Sequence, residues 1–450
     1  MGELAATKIA TLRMIFDAAP DGVVRDLCHA LTPEGPYDAS LTVVRELLEA
    51  ERQDRRVRNI VFAPIAPLCR GGSAGRLAFP SRALKLMWCG LKHELPSEVD
   101  QATALLAEWR EDGGGAAVLD VLCEHAAEAV EGAATGDFAD ARAACEAMKV
   151  GLGQTLVTCL RLAPVTRRAL ERLPDWLGRM TGEKAAELRL AYRDVCAISE
   201  DAGPEFVEML SGHIAEPWQV LRVVSGIMER PAEAYLAGSE LSHVAERLLD
   251  DIDERLVMIG RFGPASSPQD ARQAAQAIDG AVHEIAELEL AVGLSPSGPW
   301  GRRVAGQKKA LALKAESQLR SLEDQVAKAL PLQPVRIGPR SSRGMPRLSA
   351  DPEPLIVAKA MTLLHFANDV RASASAGGFA STRAKTLENV CARIDSYVED
   401  LLEHLRSGPE DTTQEENDRA RAYLEILADF SGLARDDKAA QIVRRRAAAA

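Results

Sequence analysis

The chain has 450 residues, of which 47% are hydrophobic and 27% charged, and its formal net charge is −12. A chain of this length can bury a large core, so it needs no disulfide or metal site for stability. The net negative charge disfavours general binding to nucleic acid. No stretch approaches the ~20 apolar residues of a membrane-spanning helix, and the first residues do not have the pattern of a signal peptide. We therefore expect a cytoplasmic protein that has no transmembrane segment and binds no nucleic acid.

The composition predicts an all-α fold. Only 4% of the residues are aromatic, and alanine is the commonest core filler. Alanine has the highest helix propensity, whereas strands favour β-branched and aromatic residues. The eight cysteines are scattered and include no C-x-x-C pair, so we interpret them as reduced, buried thiols. No zinc site and no cofactor are expected.

Apolar residues recur at helical spacing from the start of the chain. Residues 3–18 and 38–54 are amphipathic, and we assign residues 1–112 to an N-terminal helical region with a basic irregular loop at 59–80. Glycines at 113–115 then break the pattern. Further helices, each separated by Gly or Pro, are predicted at 116–133, 137–162, 165–178, 182–200, 204–214 and 217–229.

Two longer helices are predicted at 269–294 and 302–330. The short connection between them, 295–301, is rich in Ser, Pro and Gly, which indicates a long antiparallel helical hairpin. Together with the preceding helices, this hairpin completes a central helical bundle over 116–330.

Residues 331–354 contain six prolines, as well as Gly338 and Gly344. Such a stretch cannot form a regular helix or a central strand. We interpret it as a Pro/Arg-rich linker that separates the central bundle from a C-terminal helical unit at 355–446.

One helix of the C-terminal unit has a heptad pattern of apolar residues. The pattern comprises Leu387, Cys391, Ile394, Val398, Leu401 and Leu405. Two interpretations remain open: a helix that packs inside its own chain, or a homodimer formed through helix 387–405. The apolar pattern at 241–259 recurs at 387–405, and Glu216-Pro217 and Glu353-Pro354 each open an apolar helix upstream. A duplicated bundle unit is therefore a hypothesis.

No catalytic constellation emerges from the motifs. Residues 71–75 satisfy the G-x-S-x-G pattern around Ser73, but a nucleophile elbow needs a strand directly before the serine and a helix directly after it. Prolines precede Ser73 and residues 76–80 delay the next helix. We therefore expect a binding protein rather than an enzyme.

The acidic residues Asp250, Asp251 and Glu254 form a D-D-x-x-[DE] pattern on a predicted helix. It resembles the metal-binding motif of isoprenoid synthases, in which carboxylates hold Mg²⁺. However, Arg247 and Arg255 are spaced to pair with the same carboxylates, and no matching second acidic motif follows. A solvated charged face is the favoured interpretation, and these three residues remain weak metal candidates.

The charges are distributed unevenly along the chain. Residues 55–92 include eight basic and no acidic residues, and residues 302–347 include eleven basic and three acidic ones, which leaves −28 for the rest. These two basic segments either pack against acidic faces of the same molecule or of a second copy, or bind an anionic partner.

The candidate binding residues lie in a glycine-rich loop and in the predicted linker. Glycine amides flanked by arginines can cradle a phosphate or carboxylate, and the arginines of an extended arm suit an acidic protein groove. The loop residues are Arg70, Gly71, Gly72, Ser73, Gly75 and Arg76. The linker residues are Arg336, Arg340, Arg343 and Arg347.

Three functions are compatible with these observations. The first is a scaffold or adaptor that binds protein partners through its helical faces and uses the basic loop and arm for docking. The second is a helical-bundle enzyme or binding protein for an anionic, phosphorylated small molecule, with Mg²⁺ as an optional cofactor. The third is peripheral contact with an anionic membrane through residues 302–347.

Overall fold

The computed structural model describes residues 6–31, 39–69, 77–107, 116–132, 135–148, 151–199, 202–338, 341–407 and 413–450. Over these residues the chain forms 19 α-helices and a single pair of short strands, which confirms the predicted all-α class. Within the same residues, none of the helices is long and apolar enough to cross a membrane.

The chain divides into two compact units, Met1–Arg230 (unit 1) and Pro231–Ala450 (unit 2). The four-part division expected from the sequence stays a prediction. Its boundary at 331–354 falls inside unit 2, and its central bundle includes residues of both units.

The described part of unit 1 contains eleven α-helices and two short 3₁₀ helices at Ala66–Cys69 and Pro217–Gln219. The helices are α1 (Ala6–Ala18), α2 (Asp21–Ala30), α3 (Ala39–Val61), α4 (Ser81–Glu94), α5 (Pro96–Ala107), α6 (Ala116–Gly132), α7 (Gly136–Glu146), α8 (Leu152–Leu177), α9 (Gly182–Ile198), α10 (Ala202–Ser211) and α11 (Val220–Ile227).

Helix α8 runs through Pro164 and Pro174, although the sequence predicts a break at Pro164. A proline inside a helix removes one hydrogen bond and costs about 3 kcal/mol. Thirteen buried residues of α8, on either side of Pro164, pack into the core and offset this cost. The chain instead breaks before α8, at Gly151, whose φ of +84° is readily adopted only by glycine.

Two arginines with little exposed surface tie the helices of unit 1 together through carbonyl groups at helix ends. Arg55 of α3 donates to the Phe16 carbonyl at the end of α1, at 2.6 Å. Arg167 of α8 donates to the carbonyls of Ile60 and Val61 at the end of α3, both at 2.9 Å. Each guanidinium therefore adds a donor and a positive charge at the carboxyl end of a helix.

The described part of unit 2 contains eight α-helices and a two-stranded sheet. The helices are α12 (Glu233–Leu236), α13 (Ser242–Arg261), α14 (Pro268–Ala291), α15 (Pro299–Ala329), α16 (Pro354–Asp369), α17 (Ala380–Ser407), α18 (Gln414–Ala434) and α19 (Asp437–Ala448). The strands are β1 (Leu332–Gly338) and β2 (Ser341–Pro346).

Unit 2 is built from two four-helix groups that share α15 and α16. Helices α13 and α14 pack on one side of this shared pair, and α17 and α18 pack on the other. Helices α14 and α15 are the two long helices that the sequence predicts, but their main neighbours are α13 and α16 rather than each other. Helix α15 has nine buried residues, which recur every three or four positions and form one stripe along the helix.

The sequence repeat corresponds in part to this arrangement. Helices α13 and α17 carry the two copies of the apolar pattern, and both contact α15, while α14 and α18 both contact α16. The upstream part of the pattern does not correspond, because Pro217 opens a 3₁₀ helix of unit 1 whereas Pro354 opens α16 of unit 2. The duplication hypothesis is therefore supported only for the α13–α14 and α17–α18 pairs.

The apolar seam of α17 is buried in part. Ile394, Val398 and Leu401 are each at most 3% exposed, and α17 packs against α15 and α18. These three side chains fill the core of their own chain, as in the first of the two interpretations. The other seam residues, Leu387, Cys391 and Leu405, are half-buried, and a homodimer through this helix stays a prediction.

Strands β1 and β2, which fall in the predicted linker, pair antiparallel as the two arms of a β-hairpin. The backbone N–H of Arg347 donates to the Pro331 carbonyl at 3.0 Å, so these two residues form a hydrogen-bonded pair. From this pair onward, hydrogen-bonded and non-hydrogen-bonded residue pairs alternate along the two strands. Pro334, opposite Gly344, thus occupies a position whose N–H would point away from β2. A proline there removes no hydrogen bond between the strands, and it disfavours pairing of another strand with the outer edge of β1.

Candidate functional site

The predicted anion loop lies outside the described residues. Arg70, Gly71, Gly72, Ser73, Gly75 and Arg76 all fall in 70–76. The chain on either side is well anchored, because the Phe79 N–H donates to the Leu68 carbonyl at 2.8 Å and both side chains are buried. Binding by this loop stays a prediction.

Basic residues of the first segment, 55–92, have acidic partners within unit 1. Arg55 pairs with Asp21 and Glu51 at 2.6 and 2.7 Å. Lys85 pairs with Asp17 at 2.7 Å, and Lys92 with Asp54 at 3.0 Å. At these positions the structure agrees with the interpretation that basic residues pack against acidic faces of the same molecule.

The weak metal candidates are divided between two helix interfaces. Asp250 of α13 accepts a hydrogen bond at 2.5 Å from Arg303 of α15, which also pairs with Asp253. Asp251 is half-buried, and its pKa is raised by burial, against the lowering effect of Arg247 and Arg255. In the described part of the chain, no group of three or more His, Cys, Asp or Glu side chains is arranged to hold a metal. Asp250, Asp251 and Glu254 thus make no metal site there.

A buried ion pair joins α13 to α14 beside this acidic motif. The Arg255 guanidinium contacts the Glu284 carboxylate at 2.8 Å, and the Glu284 side chain is 1% exposed. Burial raises the pKa of Glu284 to about 6, although Arg255 acts in the opposite direction. The Arg255 guanidinium lies directly against Gly280, where a Cβ would overlap it. Glycine at this position admits the arginine between the two helices.

The predicted arm residues lie on the β-hairpin. Arg336 of β1 and Arg347, just after β2, are exposed, and Arg340 lies outside the described residues. Arg343 of β2 is 53% exposed and pairs with Asp400 of α17. We call Arg336, Arg343 and Arg347, with the strands that bear them, the arginine hairpin.

The base of the arginine hairpin is fixed to α17. The Tyr397 hydroxyl donates to the Pro331 carbonyl at 3.1 Å, and Arg393 donates to the Leu330 carbonyl at 2.8 Å. Asp400, the partner of Arg343, has a side chain that is only 2% exposed. Burial raises the pKa of Asp400, and the positive charge of Arg343 opposes this shift. The hairpin is therefore held by polar contacts at several points.

A second cationic region, which the sequence does not predict, lies between α2 and α3. A cleft of about 700 Å³ is lined there by three arginines, one histidine and an apolar floor. The signal in the sequence is the spacing of Arg25 and His29, four residues apart, and of Arg45 and Arg52, seven residues apart. Each pair occupies one face of a helix. The prediction missed this signal because α2 was not recognised as a helix.

Comparisons with known proteins found no relative of this chain. No protein-family model matches the chain, and neither a curated protein nor a solved structure is similar to it.

Proposed function

We propose that this chain is an all-helical scaffold or adaptor that binds acidic protein partners through the arginine hairpin of unit 2. The observation that supports this proposal is a contrast within the basic segment 302–347. Arg303, Lys308 and Arg320 pair with acidic residues of unit 2, whereas Arg336 and Arg347 are exposed on the hairpin.

The hairpin is also the centre of a stretch without negative charge. Residues 325–350 include five basic residues and no acidic one. Exposed charges of one sign attract a partner of the opposite sign over about 8–10 Å at physiological ionic strength. Such complementarity raises the association rate and excludes basic partners.

The anchoring of the hairpin favours binding rather than a merely solvated loop. The contacts from Tyr397 and Arg393 hold the Leu330–Pro331 backbone, and Asp400 holds Arg343. Arginines on a preorganised strand pair lose less conformational entropy on binding than arginines on a disordered arm. We therefore assign the docking role to the hairpin, and not to the apolar seam of α17.

The proposal is tested with a fluorescent, 20-residue poly-glutamate peptide and the full-length chain. The test variant is Arg336→Gln with Arg347→Gln, which keeps the Arg343–Asp400 pair intact. The matched control is Arg302→Gln with Lys309→Gln, which removes two exposed charges from α15 in the same basic segment. Each exposed ion pair contributes up to ~1 kcal/mol, so the hairpin variant is expected to bind about tenfold more weakly.

Fluorescence anisotropy at several salt concentrations separates the outcomes. Salt-sensitive binding that is weakened in the hairpin variant and retained in the control supports the proposal. Equal affinities of the two double variants, or no binding by the native chain, would refute it. In a second arm, binding to anionic vesicles but not to the peptide would replace the protein partner with a membrane surface.

A further inference from the structure

The α2–α3 cleft of unit 1 has the size and composition of a small-molecule site. Its volume of about 700 Å³ falls within the ~300–1,000 Å³ of typical ligand pockets. Helix α2 contributes Arg25, Cys28 and His29 to one wall, and α3 contributes Arg45 and Arg52 to the other. None of these residues belongs to the arginine hairpin.

The positive charges of the cleft exceed its negative ones. Its lining includes three arginines and His29, against the carboxylates of Glu46 and Glu49. Glu49 is engaged by Arg52, whose Nε donates to it at 2.9 Å. This hydrogen bond, together with the charges of Arg52 and Arg45, lowers the pKa of Glu49. Glu49 therefore orients the Arg52 guanidinium on α3, and the three arginines of the lining still outnumber its two carboxylates.

The floor of the cleft is apolar. Leu48 is 1% exposed and belongs to a core cluster with Phe16 and Val24, and Leu31 packs against that cluster. The Cys28 thiol also lies on the floor and donates to the Leu48 carbonyl at 3.8 Å. An apolar floor beneath a cationic rim suits a ligand that has both a hydrocarbon part and a negative charge.

We infer that the α2–α3 cleft binds an amphiphilic anion, with its hydrocarbon part against Leu31 and Leu48 and its charged group beside Arg45. Arg25, which also contacts Asp26 at 3.5 Å, lies on the opposite wall. Guanidinium groups bind carboxylates and phosphates through charge-assisted hydrogen bonds. This site is independent of the scaffold proposal, because it uses a different unit and different residues.

The inference is tested with decanoate, below its micelle-forming concentration, as the probe. The readout is the rate at which iodoacetamide alkylates Cys28 in the full-length chain, followed by peptide mass spectrometry. The half-buried Cys391 of unit 2 is the internal reference. Decanoate is expected to slow alkylation of Cys28 at least about fivefold and to leave Cys391 unchanged.

Two variants and two further probes sharpen this test. Arg45→Gln removes one guanidinium from the rim and is expected to weaken the protection by decanoate about tenfold, since a hydrogen bond to a charged group contributes ~1.5–3 kcal/mol. Arg56→Gln, on the exposed side of the same helix and outside the cleft, should have no effect. Equal protection by decanol or by inorganic phosphate would overturn the assignment of an amphiphilic anion. Unchanged alkylation in the presence of decanoate would overturn the site itself.

Discussion

Glu233 fixes the start of the long helix α15, and its removal should destabilise unit 2. The side chain is 3% exposed, and its two oxygens accept hydrogen bonds from the backbone N–H groups of Trp300 and Ser295, both at 2.8 Å. A third N–H, that of Gly301, lies 3.4 Å from the carboxylate. The chain is close-packed here, because a Cβ at Gly301 would overlap the Ser295 carbonyl.

The variant Glu233→Gln removes the negative charge and one hydrogen-bond acceptor, with little change in side-chain volume. In either orientation of the new amide, its NH₂ group takes the place of an oxygen that accepts from a backbone N–H. Two hydrogen-bond donors then face each other, and one hydrogen bond is lost. A lost hydrogen bond to a charged group costs ~1.5–3 kcal/mol, and the lost interaction with the helix dipole costs up to ~2 kcal/mol more. We expect the free energy of unfolding of unit 2 to fall by about 3–4 kcal/mol.

Thermal unfolding and hydrogen exchange measure this loss. At roughly 2–4 °C per kcal/mol for a unit of this size, the melting temperature should fall by about 10 °C, and amide exchange in the peptide spanning 295–301 should accelerate. The control is Glu289→Gln, which removes an exposed partner of Lys308 and should cost less than ~1 kcal/mol. Equal melting temperatures for the two variants, with unchanged exchange at 295–301, would refute the role of Glu233.

Two further predictions concern the buried ionic contacts. The pKa of Glu284, raised to about 6, lies above its unfolded value, so its stabilising contribution is full at low pH and is lost as the pH rises through 6. Glu284→Gln should thus gain about 2 kcal/mol relative to the native chain between pH 4 and pH 7, and parallel pH–stability curves from urea unfolding would contradict this. Arg167→Met removes the ion pair with Asp120 and one donor from each of two helix-end carbonyls, which keep their contacts with the Ala63 N–H and the Cys123 thiol, and should cost about 1.5–3 kcal/mol. The exposed neighbour Arg168→Met should be nearly neutral, and equal urea midpoints for the two would contradict the capping role.

The helices could be predicted from the sequence because apolar periodicity and breakers act locally. The predicted helices at 182–200 and 302–330 correspond to α9 and α15 within a few residues at each end. Their ends are marked by local signals, such as Thr181, which caps α9 through its side chain, and Pro299, the first residue of α15. These signals need no knowledge of tertiary contacts.

The hairpin and Pro164 could not be predicted in this way. Six prolines argue against a strand, but Pro334 is compatible with β1 only because its side of the strand has no ladder partner. Pro164 is compatible with α8 only because the residues around it are buried in the core. In both cases tertiary contacts decide the outcome, and a single sequence does not reveal them.

The candidate sites show the same division between local and distant information. The spacing of Asp250, Asp251 and Glu254 gives the acidic pattern, but the cation that pairs with Asp250 comes from α15, far along the chain. Arg303, which pairs with Asp250, is 53 residues away, and Glu284, beside Asp251, pairs with Arg255. A cation of this chain is therefore available to an external anion only where the fold supplies no acidic partner.

That criterion separates paired cations from the exposed arginines of the hairpin on physical grounds. An exposed arginine that already has an internal partner must lose it, or share it, before it can bind an external anion, and this exchange yields little net free energy. Arg55 is 7% exposed and has four acceptors within unit 1, so it stabilises the fold. Arg336 and Arg347 are exposed on a strand pair whose position is fixed by Tyr397 and Asp400. Because binding there would break no core contact, we propose the hairpin as the docking surface.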